Sequence, residues 1–277
     1  MANYTLADVK ALREQTGAGM MDVKNALVEA EGNYDEALKI IRMKGLKSLS
    51  KREGREASAG LVVAQVADDF KTGVMVEVNS ETDFVAKNEK FIAFANEVLA
   101  AAAASGAADL ETLLASPAGE GTVQDLVDAM GAQVGEKILV SRIARVEGDY
   151  VGLYLHKTSE DLPAQIGILV ATDDKGEKVA RDIAMHIAVF KPRWLDKDAI
   201  PAEVVEGERE TLTAITLNEG KPEHIVPKIV EGRLSAFYKE NTLLAQDYAK
   251  DPSVTVGKVL DAEGASVSEF VRFQVGA

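Results

Sequence analysis

The order of predicted secondary structure repeats once along this chain of 277 residues, and the repeat restricts the fold more than any other feature of the sequence. Each copy consists of a β-hairpin built from apolar, β-branched runs, an amphipathic helix and a closing strand. These elements are residues 61–66, 74–78, 89–104 and 138–146 in the first copy and residues 151–155, 166–171, 178–190 and 270–275 in the second. Two antiparallel sheets, each with a helix packed on it, predict an α+β core.

Helical signals precede the repeat. The predicted helices are residues 5–16, 20–30 and 34–42. The first begins with a capping box formed by Thr5 and Asp8, and it ends at Thr16-Gly17. Of Met20 and Met21, at the start of the second helix, we expect one in the core and the other at the surface as an adaptable contact.

The same signals divide the chain into a bundle, a linker, two core subdomains and an insertion. The predicted divisions are residues 1–47 for the small three-helix bundle, 48–58 for the linker, 59–148 for the first core subdomain, 149–200 with 241–277 for the second, and 201–240 for the insertion. The linker is polar and charged, which is typical of a flexible hinge. The insertion predicts an antiparallel helical hairpin, and Pro227 predicts that its second helix is kinked or begins there.

The composition excludes several classes of function. The net charge is −14, with 31 Lys and Arg against 45 Asp and Glu, which is the opposite of the balance typical of nucleic-acid binders. Cysteine is absent, so disulfides, thiolate metal sites and cysteine nucleophiles are excluded. No apolar run approaches about 18 residues and the first residues lack a signal-peptide pattern. We therefore expect no direct nucleic-acid binding, no membrane association and a cytoplasmic location.

The remaining ionisable residues show no pattern typical of catalysis. Glu81 and Asp83 lie two positions apart on a predicted turn, where solvated carboxylates are expected rather than an acid/base pair. The histidines at positions 156, 186 and 224 lack the spacing of a metal site, and His186 is expected at a helix surface or at the edge of the core. No phosphate-binding glycine loop occurs. We predict neither enzyme activity nor a bound cofactor or metal.

One polar joint in the first copy carries an aromatic residue with no evident place in the sheet. It reads N-S-E-T-D-F-V-A-K-N from Asn79 to Asn88, and Asn88 is expected to cap the following helix. Two interpretations are open: Phe84 folds back over the core, or Asp83 and Phe84 project on a turn toward a partner. The second copy has T-D-D-K-G-E at the same place, which favours the second interpretation.

The decapeptide resembles the signature of the elongation factor Ts family, the bacterial exchange factors of elongation factor Tu. Two further stretches carry the resemblance. Near the N-terminus the chain reads L-R-E-Q-T-G-A-G-M-M-D-V-K-N-A-L, in which Val23 stands where many members have cysteine, and later it reads K-I-V-E-G-R-L and K-D-P-S. The resemblance covers nearly the whole chain, and it implies that the first helices form a ubiquitin-associated-like bundle.

The resemblance implies a function without chemistry, in which the protein binds elongation factor Tu carrying GDP and speeds release of the nucleotide. The residues that it assigns to the partner interface are Thr82, Asp83, Phe84 and Val85 at the partner's magnesium site, Arg13, Met20 and Met21 in the bundle, and, with a looser match, Val134, Gly135 and His156 in the core. The insertion is expected to mediate self-association, giving a homodimer or a heterotetramer with elongation factor Tu, or a peripheral contact. The alternative function is a protein-binding adaptor that uses the bundle and has no exchange activity.

Overall fold

Three helices form the N-terminal bundle in the computed structural model, which describes residues 3–16, 18–50 and 54–277. They are α1 (Leu6–Thr16), α2 (Met20–Glu29) and α3 (Tyr34–Ser50). The predicted capping box is confirmed, because the Thr5 backbone N–H donates to Asp8 Oδ2 (2.7 Å) and the Asp8 N–H donates to Thr5 Oγ1 (3.2 Å). The helices enclose a core of their own that includes Val9, Leu12 and Leu27.

Helix α3 ends at Ser50, eight residues beyond the predicted end at Arg42. The first three residues of the predicted linker, 48–50, therefore belong to α3. The polarity of residues 48–58 suggested a linker. However, Met43, Lys44 and Leu46 are good helix formers, and they continue the helix beyond Arg42. Residues 51–53 of the predicted linker, and Gly17 at the predicted end of the first helix, lie outside the described residues.

The two copies of the repeat follow one another after residue 58. The first contains β1 (Ala59–Val66), β2 (Thr72–Ser80), α4 (Asp83–Ala86), α5 (Glu89–Ser105), α6 (Leu110–Ala115), β3 (Pro117–Ala118), β4 (Gly121–Thr122), α7 (Val123–Val134) and β5 (Leu139–Glu147). The second contains β6 (Tyr150–His156), β7 (Ile166–Thr172), α8 (Glu177–Phe190), α9 (Ala202–Asn218), α10 (Val226–Asn241), β8 (Asp247–Tyr248), β9 (Asp251–Thr255), α11 (Val256–Glu263) and β10 (Val267–Gln274). The predicted α+β fold is confirmed.

Both copies build the same three-stranded antiparallel sheet. In the first, β2 lies between its hairpin partner β1 and the closing strand β5. In the second, β7 lies between its hairpin partner β6 and the closing strand β10. The strand order is thus the same in both copies, as the repeat predicts.

The two sheets pack face to face, and helices cover the outer face of each. Along β2, alternation places Val76 and Val78 against α5 on the outer face, whereas Met75 packs with Leu169 of β7 between the sheets. Glycine permits this close approach, because a Cβ added at Gly167 would lie 2.6 Å from Met75 Sδ. The core therefore has four layers: helices, sheet, sheet and helices.

An ion pair within the first sheet, between β2 and β5, also contacts the second sheet. Glu77 is 2% exposed and accepts a hydrogen bond from Arg142 Nε at 2.8 Å. Arg142 Nη2 donates to the backbone carbonyl of Gln274 at the end of β10 (2.8 Å), and its guanidinium lies over the Phe273 ring. Because the Glu77 carboxylate is buried, loss of the Arg142 charge would leave it without its cationic partner, so the pair stabilises this part of the core.

The insertion is the predicted helical hairpin, formed by α9 and α10. A 3₁₀ turn at Glu223–Ile225 precedes α10, and Pro227 lies in the first turn of that helix, where a missing N–H donor costs nothing. The helix therefore begins at Val226, one residue before Pro227, and Pro227 lies in its first turn instead of bending it. In the part of the chain that the structure describes, no helix is long and apolar enough to cross a lipid bilayer.

His186 of α8 is fully buried, so the expectation of a surface or core-edge position was wrong. Its Nε2 lies 2.9 Å from Gln246 Oε1, and the Ala249 N–H donates to its Nδ1 at 3.2 Å. Because Nδ1 accepts, Nε2 carries the proton of the neutral ring. Burial lowers the pKa of His186, and the hydrogen bond to Gln246 opposes this shift only in part.

Candidate partner-binding site

The joint between β2 and α5 contains a single helical turn, and the C-terminal end of this turn is packed into the core. Thr82 caps the turn, since its Oγ1 accepts a hydrogen bond from the Val85 N–H at 3.4 Å. Ala86 is fully buried and Val85 is half-buried against the same apolar cluster. Asn88 then caps α5 by accepting from the Lys90 N–H at 2.9 Å, as predicted. The turn is therefore anchored at its C-terminal end.

The loop after α7 holds the other end of the turn. Glu136 accepts two hydrogen bonds from Thr82, one from the backbone N–H (3.0 Å) and one from Oγ1 (2.7 Å). In the opposite direction, Glu81 Oε1 accepts the Lys137 backbone N–H at 2.6 Å and lies 3.3 Å from Arg55 Nη1. These charge-assisted bonds run both ways between two segments far apart in sequence, so the turn has one defined position. We refer to the Thr82–Glu136 and Glu81–Lys137 bonds as the latch.

Asp83 and Phe84 project from this anchored turn into solvent. The Phe84 side chain is 72% exposed, which excludes the interpretation in which its ring covers the core. Lys87 lies beside both residues, with its Nζ 3.8 Å from Asp83 Oδ2 and 4.6 Å from the centre of the Phe84 ring. Exposed contacts of this kind contribute at most about 1 kcal/mol each, so they leave the ring and the carboxylate available to a partner.

Both carboxylates of this segment lie beside cationic side chains. Glu81 is engaged in the latch, and Asp83 faces solvent beside Lys87. Among the residues that the structure describes, no cluster of three His, Asp or Glu side chains has the geometry of a metal site. What the turn offers is a rigid aromatic ring next to a negative charge, which is a means of binding and of displacing groups in another molecule.

Comparison with known proteins decides the family. A family profile described as elongation factor TS matches residues 81–277. The chain belongs to the elongation factor Ts family. It is 55% identical over 280 residues to elongation factor Ts of Renibacterium salmoninarum, 55% over 279 residues to that of Micrococcus luteus and 51% over 281 residues to that of Beutenbergia cavernae, with 100% of both chains covered each time. The family supports a role as a translation elongation factor.

Three of the residues that the family resemblance assigns to the interface lie in the N-terminal bundle. Arg13 is exposed on α1, and Met20 and Met21 are 43% and 65% exposed at the start of α2. The expectation that one of the two methionines fills the core was wrong, because Val23, Ala26 and Leu27 fill the inward face of α2. Two neighbouring exposed methionines form an adaptable apolar surface.

The core positions assigned from the elongation factor Ts family lie in two places. Gly135 is the left-handed C-cap of α7 (φ 80°), and it directly precedes Glu136 of the latch, so the structure brings this position next to the turn. Val134 is half-buried against the first core cluster. His156 is exposed at the end of β6, and its Nδ1 lies 3.1 Å from Tyr154 Oη on its own strand.

The latch is the part of the site that the sequence alone did not identify. Glu136 is an ordinary surface carboxylate in the sequence, and its partner Thr82 lies 54 positions earlier. The available signal was the Gly-Glu-Lys sequence after α7, because a helix-ending glycine followed at once by charged residues indicates a turn with a specific direction.

Proposed function

We propose that this member of the elongation factor Ts family is a guanine-nucleotide exchange factor that binds elongation factor Tu carrying GDP and promotes GDP release. The observation that carries the proposal is the Asp83–Phe84 pair, which projects from a turn fixed at both ends. A partner whose nucleotide site must be deformed requires a rigid probe, since a mobile loop would itself be displaced. The function involves no chemical reaction, so the protein is not an enzyme.

In this proposal Thr82, Asp83, Phe84 and Val85 act together at the magnesium and phosphate site of elongation factor Tu. The Phe84 ring and the Asp83 carboxylate enter the partner, while Thr82 and Val85 hold the turn. Displacing magnesium removes the cation that neutralises the diphosphate, and GDP then dissociates faster. GTP binds to the vacated site afterwards.

Other parts of the chain supply affinity rather than exchange. Arg13, Met20 and Met21 are proposed to contact the nucleotide-binding domain of elongation factor Tu, and Val134, Gly135 and His156 are proposed as further core contacts. The insertion, residues 201–240, is proposed to mediate dimerisation, which includes a heterotetramer with elongation factor Tu, or a peripheral contact. These roles keep the proposed division into bundle, linker, two core subdomains and insertion, and they place the protein in the cytoplasm with the translation machinery.

The experiment is to mix the protein with elongation factor Tu loaded with fluorescent GDP and to time the loss of label in the presence of excess unlabelled nucleotide. We expect a release rate that rises with the concentration of the protein and then saturates. Binding without faster release would reject the exchange function and favour the adaptor that uses only the bundle. Repeating the assay with residues 54–277 separates the two functions further, because the adaptor loses all binding and the exchange factor retains activity at high concentration.

A further inference from the structure

Helix α3 of the bundle lies against helix α7 of the core along two turns. The residues of α3 that face α7 are Leu38, Ile41, Arg42 and Gly45, and those of α7 are Asp125, Leu126, Asp128, Ala129 and Ala132. The four residues of α3, and those of α7 apart from Leu126, follow the i, i+3, i+4, i+7 spacing of a single helix face. These residues line a cleft of about 450 Å³, to which α1 and the β3–β4 hairpin also contribute, and a Cβ added at Gly45 would lie 3.4 Å from Ala132 Cβ.

The Arg42 charge on α3 is complementary to the Asp125 charge on α7. Arg42 on α3 faces a part of α7 that carries Asp125 and Asp128. The backbone and hydroxyl donors of Thr122 lower the pKa of Asp125 most, and the Arg42 guanidinium lowers it further. This long-range attraction favours the approach of α3 to α7 at the cleft that Leu38 and Ile41 also line.

Helix α7 is also the element that ends in the latch. Its last residue, Val134, is followed by Gly135 and then by Glu136, which holds Thr82. Ala132, whose Cβ would lie 3.4 Å from a Cβ added at Gly45, is three residues before Gly135 and so less than one helical turn from the C-cap of α7. One rigid helix therefore carries the bundle on its exposed side and fixes the Asp83–Phe84 turn at its end.

We propose that the N-terminal bundle is docked on α7 in the free protein and that it binds elongation factor Tu from this docked position. The methionine surface of the bundle, Met20 and Met21, and the Asp83–Phe84 turn then act as one rigid contact surface. The second half of this statement rests on the proposed function. The docking itself does not, and the two are tested separately.

The absence of cysteine makes the docking directly testable. Gly45→Cys with Ala132→Cys would place two Cβ atoms near the separation of about 3.8 Å that a disulfide requires. The matched control is Gly45→Cys with Gln133→Cys, because Gln133 is exposed on α7 but is rotated by about 100° from Ala132. In dilute full-length protein, we expect the first pair to oxidise at least tenfold faster than the control. Equal rates would reject docking.

The cross-linked protein then tests the function of the docked position. We expect its stimulation of GDP release to match that of the reduced form within twofold, both in the maximal rate and in the half-saturating concentration. Activity that disappears on oxidation and returns with reductant would show that the bundle must leave α7, which would overturn the proposal. If the parent protein does not release GDP at all, the proposed function fails, whereas the ratio of oxidation rates still decides the docking.

A variant without engineered cysteines provides an independent measurement. Ala132→Arg places a long charged side chain at an exposed position of α7 that faces Gly45 of α3. We expect the half-saturating concentration to rise roughly tenfold with an unchanged maximal rate, because an undocked bundle lowers the effective concentration of its contacts. Unchanged values, with hydrogen exchange of α7 also unchanged, would contradict the docking.

Discussion

The two copies of the repeat differ most where their second strand meets the following helix. Eight residues separate β2 from α5 in the first copy, and four separate β7 from α8 in the second. The additional four are the turn Asp83–Ala86. In the second copy the shorter joint is held to its own sheet, because Asp173 accepts a hydrogen bond from the Ser266 hydroxyl at 2.8 Å.

This difference shows how one fold can serve two purposes. The sheets, their strand order and the covering helices are the same in both copies, so they provide packing rather than function. A short insertion at one joint, latched by a residue from α7, adds a projecting ring and carboxylate without disturbing the sheet. The second copy, with no such turn, uses its helix α8 to bury His186 and support the core.

Removing the projecting pair is expected to have the largest effect. Asp83→Ala combined with Phe84→Ala should lower stimulated GDP release at least tenfold, because interface residues of this type commonly contribute about 2 kcal/mol or more. The melting temperature should stay close to that of the parent, since the Phe84 side chain is 72% exposed. The control is Asp174→Ala at the joint of the second copy, which should change neither quantity. A large loss of stability, or unchanged release, would contradict the difference between the joints.

Weakening the latch is expected to have an intermediate effect. Glu136→Ala removes both acceptors of Thr82, so the turn loses its fixed position while Asp83 and Phe84 remain. We expect release to fall roughly fivefold and the free energy of unfolding to fall by about 1–2 kcal/mol. Thr82→Ser keeps both donors and should retain most activity, and Glu97→Ala, at an exposed position of α5, should have no effect. Full activity in Glu136→Ala would show that the turn needs no latch.

Shortening the insertion is expected to change release less than twofold. Arg209 and Glu231 form an ion pair across the hairpin, so residues 210–230 can be replaced by a short Gly/Ser turn at that point. The packing of Phe237 on Trp194, at the base of the hairpin, is retained. Light scattering should then report a lower mass in solution if the hairpin mediates dimerisation. A collapse of GDP release with a folded core would instead assign exchange to the insertion.

A substitution at His186, in the second copy, should change stability and leave exchange unchanged. Because burial lowers the pKa of His186 below the value of about 6.5 in an unfolded chain, the unfolded state binds the proton more readily as the pH falls. The free energy of unfolding should therefore decrease by about 1 kcal/mol between pH 7.5 and pH 5.5. His186→Gln should be less stable at pH 7.5, should lose this pH dependence and should release GDP at the parental rate. Urea unfolding at several pH values measures the free energy of unfolding. If His186→Gln kept the pH dependence of the parent, His186 would be excluded as the source of that dependence.

Much of the fold could be predicted from local sequence, because alternation, capping residues and glycine turns act over short distances. The bounds of α9 and the cap at Asn88 are examples. The orientation of Phe84 could not be decided in this way, since it depends on Ala86 being buried and on Glu136, 54 positions from Thr82. The extent of α3 and the burial of His186 were missed for a related reason: polarity alone does not report which neighbours a residue acquires in the folded chain.

The pairing of β10 with β7 also sets a condition on biosynthesis. β7 is the central strand of the second sheet, and its Thr172 pairs with Val267, 95 positions later. At about 5–20 residues per second, a ribosome needs roughly 5–20 seconds to add that stretch. During this interval one edge of β7 has no strand partner, and unpaired edges of apolar strands promote aggregation. The nascent chain therefore passes through a vulnerable stage that ends only when its last strand emerges, and the helical insertion lengthens that stage.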